Sequence, residues 1–488
     1  MKSLFKNFRA KYTSLPLQVR ASLWFFLCSV MQKGISVVVT PIFTRLMSTT
    51  EYGQFNVFNT WLGIFTVFVS LHMYNAVYTQ GLVKFDKDKD VFSSSLQGLT
   101  LVLTCIWTAV YLISSDFWNG ITNLTLVQML AMIWMIWATS AFSFWAAEQR
   151  VNLSYRKLVL LTILVSICKP FLSIILVYNS TDKVTARIIG ILIVELVGYT
   201  GLFFVQLKKG KKFYSKRFWK YSLLFCLPLV PHYLSQTVLN GADKIMIERM
   251  VGASESGIYA LAYSLSQLML MINQALVQTV NPWIYQKIKK KEVSDIHKVA
   301  LPCLAIIGCL NILLICFAPE IVSIFAPESY YDAIWVIPPV ALSGYFIFAY
   351  TLFADFEFYY EKKKFIAIAT AVSALLNIGL NYVFINAFGY YAAGYTTLAC
   401  YMVYTFGHYF FMRKILKEYH DGADVYKTKY LITMTSVFLL VGLLMLFTYK
   451  LFVLRYLIIA LLIVLIVIFR KKIKSIVKGI IGVRKKKM

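Results

Sequence analysis

Apolar residues occur along this chain in runs of about twenty, and short polar or basic stretches separate one run from the next. A helix of about twenty apolar residues is long enough to cross the hydrocarbon core of a bilayer. The pattern therefore predicts an all-α polytopic membrane protein with about fourteen transmembrane helices. These helices are predicted at 22–44, 53–76, 91–114, 121–147, 157–178, 185–207, 219–249, 257–283, 297–318, 333–360, 364–386, 391–413, 429–449 and 451–469.

The basic residues are distributed unevenly between the two sides of this predicted bundle. Forty of the 49 lysines and arginines lie in the two terminal segments or in every second loop. Loops rich in lysine and arginine stay on the cytoplasmic side of a membrane. An even number of helices with this bias predicts that both termini are cytoplasmic.

Composition agrees with a membrane protein and excludes a soluble globule with one core. Hydrophobic residues make up 59% of the chain, and the mean hydropathy is +0.68. A net charge of +27 would favour nucleic acid as a partner in a soluble protein. Here the charge lies in loops beside a membrane, so we expect no nucleic-acid partner. The eight cysteines all lie inside apolar runs, which indicates buried side chains rather than disulfides or metal ligands.

A short motif indicates that the chain consists of two related halves. The pattern Arg-x5-Glu-x-Gly-x-aromatic occurs twice, 204 residues apart, as Arg45, Glu51, Gly53 and Phe55 and again as Arg249, Glu255, Gly257 and Tyr259. This offset spans six predicted helices, so both halves would have the same orientation in the membrane. The predicted organisation is an N-terminal lobe at 1–207, a linker at 208–218, a second six-helix lobe at 219–413, two further helices at 429–469 and a basic cytoplasmic tail at 470–488.

Motifs for nucleotide-driven transport or glycosyl transfer are weak in this sequence. Gly210-Lys211-Lys212 lacks the first glycine and the hydroxyl of a phosphate-binding loop. The acidic residues of segment 86–90 alternate with lysines in a short loop, which is typical of a solvated linker. We therefore expect no catalytic residue, no metal site and no cofactor other than a coupling ion.

Three lysines fall inside predicted membrane helices, where each charge costs about 2.5–3.5 kcal/mol on insertion scales. These are Lys33, which follows Gln32, Lys169 and Lys244. They would suit a cationic cavity for an anionic head group such as a phosphate or pyrophosphate. Gln32, His232 and Arg249 are further candidates for binding the substrate, although an anchor at the membrane surface explains Arg249, at the end of a helix, as well.

Structural pairing is the alternative explanation for two of these lysines. Lys169 could meet Glu195 of the next helix, and Lys244 could meet Glu248 one turn further on. Lys33 has no acid at its depth in its own helix or the next, so its charge favours a functional role.

Several other polar residues inside the membrane could titrate or hold a cation. Glu195 and Asp243 are acidic, and His232 follows Pro228 and Pro231, whose missing donors predict a kink in the seventh helix. The eleventh and twelfth helices carry oxygen ligands that suit sodium or a hydrogen-bonded helix contact, namely Asn377, Asn381 and Thr397.

The sequence resembles a known transporter family over three segments, at 44–58, 242–262 and 375–397. They are similar to the polysaccharide transport branch of the multidrug/oligosaccharidyl-lipid/polysaccharide exporter superfamily, which includes bacterial O-antigen and capsule repeat-unit flippases. The resemblance implies two six-helix lobes around a cationic cavity that opens alternately to each face. It also implies an undecaprenyl-pyrophosphate-linked glycan as the substrate, with Lys33, Lys169 and Lys244 facing its charged groups in the bacterial cytoplasmic membrane.

The related lipid II flippases are similar in placing a sodium site among helices 7, 11 and 12. Asp243, Asn377, Asn381 and Thr397 match that layout, although Asn381 stands where an acidic ligand is expected. Coupling to sodium or to protons, through Glu195 or Asp243, therefore stays open.

Two other functions have to be weighed against a flippase. A multidrug exporter of the same superfamily would usually have twelve helices and an acidic cavity. A polysaccharide polymerase would usually present a large outward loop with charged catalytic residues, whereas the longest outward loop here, 319–332, is short and has no lysine or arginine. The expected partners of a flippase are membrane lipid, a polysaccharide polymerase and its chain-length machinery.

Overall fold

The computed structural model describes residues 16–461 and residue 464. The predicted basic tail at 470–488 lies outside the described residues, and so do residues 462–463 and 465–469 of the fourteenth predicted helix. Within the described part the chain is helical and contains no strand. The all-α polytopic fold predicted from the sequence is confirmed.

The chain divides into two compact units, Met1–Thr237 and Val238–Met488. The first unit contains α1 to α9 and the start of α10. Its helices are α1 (Leu17–Leu46), α2 (Thr49–Val69), α3 (Thr79–Lys84), α4 (Lys89–Ile113), α5 (Ser115–Thr122), α6 (Leu126–Val151), α7 (Tyr155–Tyr178), α8 (Lys183–Gly210), α9 (Lys216–Cys226) and α10 (Val230–Met250).

The second unit contains the rest of α10 and the remaining helices. These are α11 (Ala253–Lys289), α12 (His297–Cys316), α13 (Ala318–Phe325), α14 (Ile337–Tyr359), α15 (Lys363–Phe388), α16 (Ala392–Tyr419), α17 (Thr428–Thr448) and α18 (Phe452–Leu461). Within this unit α14 packs between α11, α12 and α16, and most of its residues are buried.

Eleven stretches of the described chain are long and apolar enough to cross a membrane. Two further helices that the sequence predicts as spans, α2 with 21 residues and α16 with 28, also have sufficient length. With these two helices and α18, which begins at the predicted start of the last helix, the helices follow one another in the order predicted from hydropathy.

The second predicted helix, 53–76, is wrong as a continuous element. The α2 helix ends at Val69, and Leu71 and His72 both adopt positive φ angles, of 49° and 45°. A π-helical turn at Tyr74–Tyr78 then leads into α3. Ser70 promotes the break, because its hydroxyl accepts the backbone N–H of His72 at 3.3 Å and competes with the helical hydrogen bonds.

The seventh predicted helix, 219–249, is interrupted where its prolines predict a kink. A 3-10 turn at Leu227–Leu229 separates α9 from α10, with Pro228 inside it and Pro231 just beyond. Proline lacks the backbone N–H that a continuous helix needs at these positions. The predicted kink in the seventh helix is confirmed.

The predicted linker at 208–218 lies against the first unit. The Ser94 hydroxyl donates to the carbonyl of Lys212 at 2.9 Å, and the indole of Trp219 donates to the carbonyl of Ser95 at 2.8 Å. These contacts to α4 place α9 in the first unit, so the boundary between the two units falls later, within α10. The predicted lobe limits of 1–207 and 219–413 stay predictions.

The repeated glutamate of the duplicated motif lies in the first turn of a helix in both copies. In the first copy the Glu51 carboxylate accepts the backbone N–H of Ser48 at 2.7 Å, and the Ser48 hydroxyl accepts that of Glu51 at 3.2 Å. This reciprocal pair satisfies two donors that a helix start leaves open. In the second copy Glu255 lies in the first turn of α11. The motif therefore marks two equivalent helix starts.

Candidate functional site

Asp243 lies at the centre of a buried polar network in the second unit. Its side chain is 2% exposed and accepts a hydrogen bond from the Tyr259 hydroxyl of α11. The backbone N–H of Lys244 donates to the other carboxylate oxygen at 2.9 Å. Because both carboxylate oxygens are bonded, Asp243 is held in one orientation between α10 and α11.

Amide and hydroxyl groups of α15 and α16 continue this network. The Asn377 amide nitrogen lies 3.4 Å from the Thr397 hydroxyl, and the Asn381 amide donates to Asn377 Oδ1 at 3.1 Å. The Thr396 hydroxyl donates to Asn381 Oδ1. Thr397 also interacts with the hydroxyl of Tyr259, which bonds Asp243. The structure thus brings together Asp243, Asn377, Asn381 and Thr397.

The chemistry of this network fits a small monovalent cation or a proton. Asp243 supplies the single carboxylate, and the other groups are neutral amides and hydroxyls whose oxygens could turn towards an ion. Asn381 supplies an amide oxygen where a second acid would add a negative charge. A divalent ion would retain excess positive charge with one carboxylate at a buried site, so the network favours a monovalent ion.

Lys244 lies beside the network but does not form the alternative ion pair considered above. Among the residues that the structure describes, no contact joins it to Glu248, and the Glu248 Oε2 atom is buried without a hydrogen bond. The ammonium of Lys244 instead lies 4.4 Å from the ring centroid of Tyr263. An aromatic face attracts a cation and leaves part of the ammonium available to an anion.

Lys169 and Glu195 form the ion pair that the sequence offered as one alternative. The ammonium of Lys169 on α7 contacts the carboxylate of Glu195 on α8. The Thr139 hydroxyl lies 3.2 Å from the second carboxylate oxygen. The exposed fractions of the two side chains are 28% and 6%. Glu195 is therefore neutralised by its partner and held by a hydroxyl.

Lys33 and Gln32 lie on the exposed face of α1. The amide of Gln32 is 3.4 Å from the Ser166 hydroxyl of α7. Within the described part of the chain Lys33 forms no ion pair. Its charge is therefore free to meet an anion that approaches α1.

His232 and Arg249 lie at opposite ends of α10. The His232 ring is 5.7 Å from Tyr233, whose ring is 4.8 Å from His72 at the break after α2. The Nδ1 atoms of both histidines are buried without a hydrogen bond among the described residues. Arg249 is exposed in the last turn of α10. The structure does not bring these two predicted residues together.

Sequence reasoning missed three buried acids. The Glu148 carboxylate accepts hydrogen bonds from Gln206 at 2.6 Å and from Lys209 at 3.0 Å. Glu357 contacts His408, and Asp355 is 1% exposed. All three lie near the ends of apolar runs, where a charge ordinarily belongs to a loop. For Asp355 and Glu357, an acid inside the predicted helix 333–360 was the signal available in the sequence, whereas Glu148 lies one residue beyond the predicted helix 121–147.

Comparisons with known proteins agree with this fold. The family described as "Polysaccharide biosynthesis protein" matches residues 19–288, and the family described as "MatE" matches residues 228–383. A Haemophilus influenzae protein described as "Lsg locus putative protein 1" is 24% identical over 364 residues, covering 71% of this chain and 86% of that protein.

Two solved transporters share the fold at low identity. A structure titled "Lipid II flippase MurJ, inward closed conformation" has a TM-score of 0.61 at 15% identity and covers 90% of this chain and 100% of the other. An inward-facing multidrug resistance MATE family transporter has a TM-score of 0.60 at 14% identity and covers 80% of this chain and 96% of the other. The match over more than half of its length shows that the chain belongs to the polysaccharide biosynthesis protein family, and its fold is that of these multi-pass membrane transporters.

Proposed function

We propose that this protein moves an oligosaccharide linked to undecaprenyl pyrophosphate from the cytoplasmic to the outer leaflet of a bacterial cytoplasmic membrane. The site opens alternately to the two faces, and an ion gradient drives the cycle. The observation that carries the proposal is the ammonium of Lys33 on the exposed face of a membrane helix, where it forms no ion pair with any residue that the structure describes. Such a charge costs about 2.5–3.5 kcal/mol to insert, and a pyrophosphate group offsets that cost when it binds.

The other predicted substrate residues contribute to different degrees. Lys244, over the ring of Tyr263, keeps a cation beside the buried network of the second unit. Lys169 is engaged by Glu195, so it binds an anion only if that pair opens. Gln32, His232 and Arg249 supply neutral or basic donors for sugar and phosphate oxygens.

Asp243 is the proposed coupling residue for a monovalent ion. Binding of sodium or a proton at its carboxylate would rearrange the hydrogen bonds to Tyr259 and, through Thr397, those of Asn377 and Asn381. Since these residues belong to four helices, occupancy of one site can bias how α10 and α11 pack against α15 and α16. Glu195 would take part only after it separates from Lys169.

The proposed topology follows the distribution of basic residues, with both termini in the cytoplasm. Lipid surrounds the bundle and receives the undecaprenyl chain. A polysaccharide polymerase with its chain-length machinery would use the glycan after it reaches the outer face. O-antigen and capsule repeat units are the substrate classes to test first.

A multidrug exporter is the second candidate function, and the match of residues 228–383 to the MatE family supports it. Its usual cationic drugs would be repelled by Lys33, which favours an anionic substrate. A polymerase would need catalytic acids and bases in an outward loop, and loop 319–332 has no lysine or arginine.

The decisive experiment follows lipid-linked glycans in cells that lack the protein. An enzyme that cannot enter the cell would act only on glycans in the outer leaflet. Repeat units trapped on the cytoplasmic face would support the flippase. Repeat units that reach the outer leaflet normally but stay unpolymerised would indicate a polymerase instead of a flippase. A change confined to drug sensitivity would favour the exporter. Lys33→Ala should fail to complement, whereas Lys33→Arg, which keeps the charge, should retain part of the activity.

A further inference from the structure

Glu357 and His408 form a fully buried carboxylate–imidazole pair in the second unit. Glu357 lies in the last turn of α14, and His408 lies in the C-terminal half of α16. The Nδ1 atom of His408 is 2.8 Å and 2.9 Å from the two carboxylate oxygens. Both side chains have an exposed fraction of 0%.

Aromatic rings enclose the imidazole. The ring centroids of Tyr404, Tyr350 and Phe365 lie 4.4, 5.6 and 5.6 Å from that of His408. The Tyr404 hydroxyl is 3.2 Å from Thr370. The titratable groups against the pair are therefore the neutral phenols of Tyr350 on α14 and Tyr404 on α16. The side chains from α15, Phe365 and Thr370, do not titrate.

No other charge balances this pair within the described part of the chain. Neither Glu357 nor His408 contacts a lysine or arginine there, and the Nε2 atom of His408 is buried without a hydrogen bond. With no bound proton the pair carries one negative charge, and with one proton it is neutral. Burial strongly favours the neutral form, because an isolated charge is costly away from water.

A second buried acid lies two residues away on the same helix. Both carboxylate oxygens of Asp355 lack a hydrogen bond within the described residues. Asp355 interacts with the phenols of Tyr285 on α11 and Tyr426, which precedes α17. Residues two apart on a helix point to different sides, so Asp355 and Glu357 face different neighbours. No cation faces either acid among these neighbours.

We propose that the Glu357–His408 pair is a proton-binding site that couples a proton gradient to transport. The inference rests on the proposed ion-driven function and adds to the Asp243 network a second ion site, for a proton, at residues outside it. Near the basic, cytoplasmic end of α14, hydronium delivers one proton to the pair and leaves water. The proton remains between the carboxylate and the imidazole while α14 and α16 stay packed, and water takes it up again when they separate.

Asp355 is a second proton-binding group on the same helix, α14. Its carboxyl is buried beside the phenols of Tyr285 and Tyr426, with no cation among these neighbours, so it is held best as the neutral acid. Loss of its proton would place an unbalanced charge between α14, α11 and the segment before α17. Separation of these elements would admit water and relieve that charge.

The first test measures proton binding by the purified full-length protein, without any glycan. Infrared difference spectra across a pH series report protonated carboxyl groups through their C=O stretch. Glu357→Gln should remove a protonated-carboxyl band that is present at neutral pH. Glu418→Gln should not, because Glu418, also on α16, is 49% exposed and paired with Lys362, so it is ionised at that pH. His408→Asn should shift the pH at which the Glu357 band titrates. If Glu357→Gln keeps every titrating band, the proposed site is overturned.

The second test measures transport in vesicles under an imposed pH gradient and, separately, under an imposed sodium gradient. Glu357→Gln and His408→Asn should lose the pH-gradient dependence, and Glu357→Asp should restore part of it. Transport by Glu357→Gln that still follows the pH gradient would overturn the coupling role. Glycans that cross equally in cells without the protein would instead refute the flippase proposal, and the infrared result would stand independently of it.

Discussion

The Lys169 ammonium on α7 contacts the Glu195 carboxylate on α8, and the pair lies inside two membrane helices. Removing one partner leaves the other charge in a low-dielectric region. We expect Lys169→Ala to lower the free energy of unfolding by up to about 3 kcal/mol. The partial exposure of the lysine side chain reduces this loss. Thermal unfolding in detergent would measure the change.

The matched control for this pair replaces both charges. Lys169→Met combined with Glu195→Gln removes the ion pair without stranding a charge, so stability should return towards that of the unmodified protein. Equal stability of Lys169→Ala and the unmodified protein would show that the pair does not stabilise the bundle.

Tyr259 is expected to control the orientation of Asp243. Tyr259→Phe removes the hydroxyl that donates to the buried carboxylate and should cost about 1–3 kcal/mol of stability. The sodium or proton dependence of transport should shift as well, because the coupling carboxylate loses a donor. Tyr409→Phe removes a comparable hydroxyl, bonded to Thr428 at 2.7 Å, and should leave ion dependence unchanged. An identical response of both variants would argue against the network.

Gly98 permits the close approach between α4 and the segment that follows α8. A Cβ atom at this position would lie 2.2 Å from the carbonyl oxygen of Phe213, which is backbone and cannot rotate away. Gly98→Ala should therefore destabilise the first unit by about 3 kcal/mol and reduce the yield of folded protein. Gly379→Ala, which meets no atom within 4 Å, is the control and should behave as the unmodified protein does in size-exclusion chromatography.

A histidine after α16 predicts a pH dependence of stability. Burial, together with the charge of Lys291, lowers the pKa of His420 from its usual 6.5, and its Nε2 atom lies 2.8 Å from the Tyr360 hydroxyl. The folded chain thus binds fewer protons there than the unfolded chain, so stability rises with pH. It should fall as the pH drops below about 6.5 and through the folded pKa.

Melting temperature measured at several pH values would test this dependence. His420→Gln should reduce its slope below pH 6.5, the usual pKa of the histidine. A slope unchanged by His420→Gln would assign the pH dependence to other groups.

The sequence predicted those features that hydropathy or charge alone determines. Apolar runs located the helices, and the cost of a membrane charge singled out Lys169 and offered Glu195 as its partner. The gathering of Asp243, Asn377, Asn381 and Thr397 was expected from family resemblance, since no spacing rule relates residues so far apart. Which hydroxyl bonds which amide depends on helix packing, and local sequence does not encode it.

The break after α2 was missed because its neighbourhood is apolar and has neither proline nor glycine. Ser70 was a local clue. Its hydroxyl accepts the backbone N–H of His72, but it can do so only where the chain already turns, so the sequence alone does not reveal the break. Glu357 was missed for a related reason. Near the end of an apolar run, its position agrees equally with a solvated loop, and only the packing of His408 against it shows that it is buried.

The π turn at Tyr74–Tyr78 lets this segment carry one more residue than a regular helix would. A π turn contains one residue more than the α-helical turn it replaces. Inserting a residue into a regular helix would rotate everything that follows by about 100°, the angle that one helical residue spans. Because the wider turn absorbs the extra residue locally, deleting that residue would restore regular winding, and α3 would keep nearly the same side towards its neighbours up to Lys84.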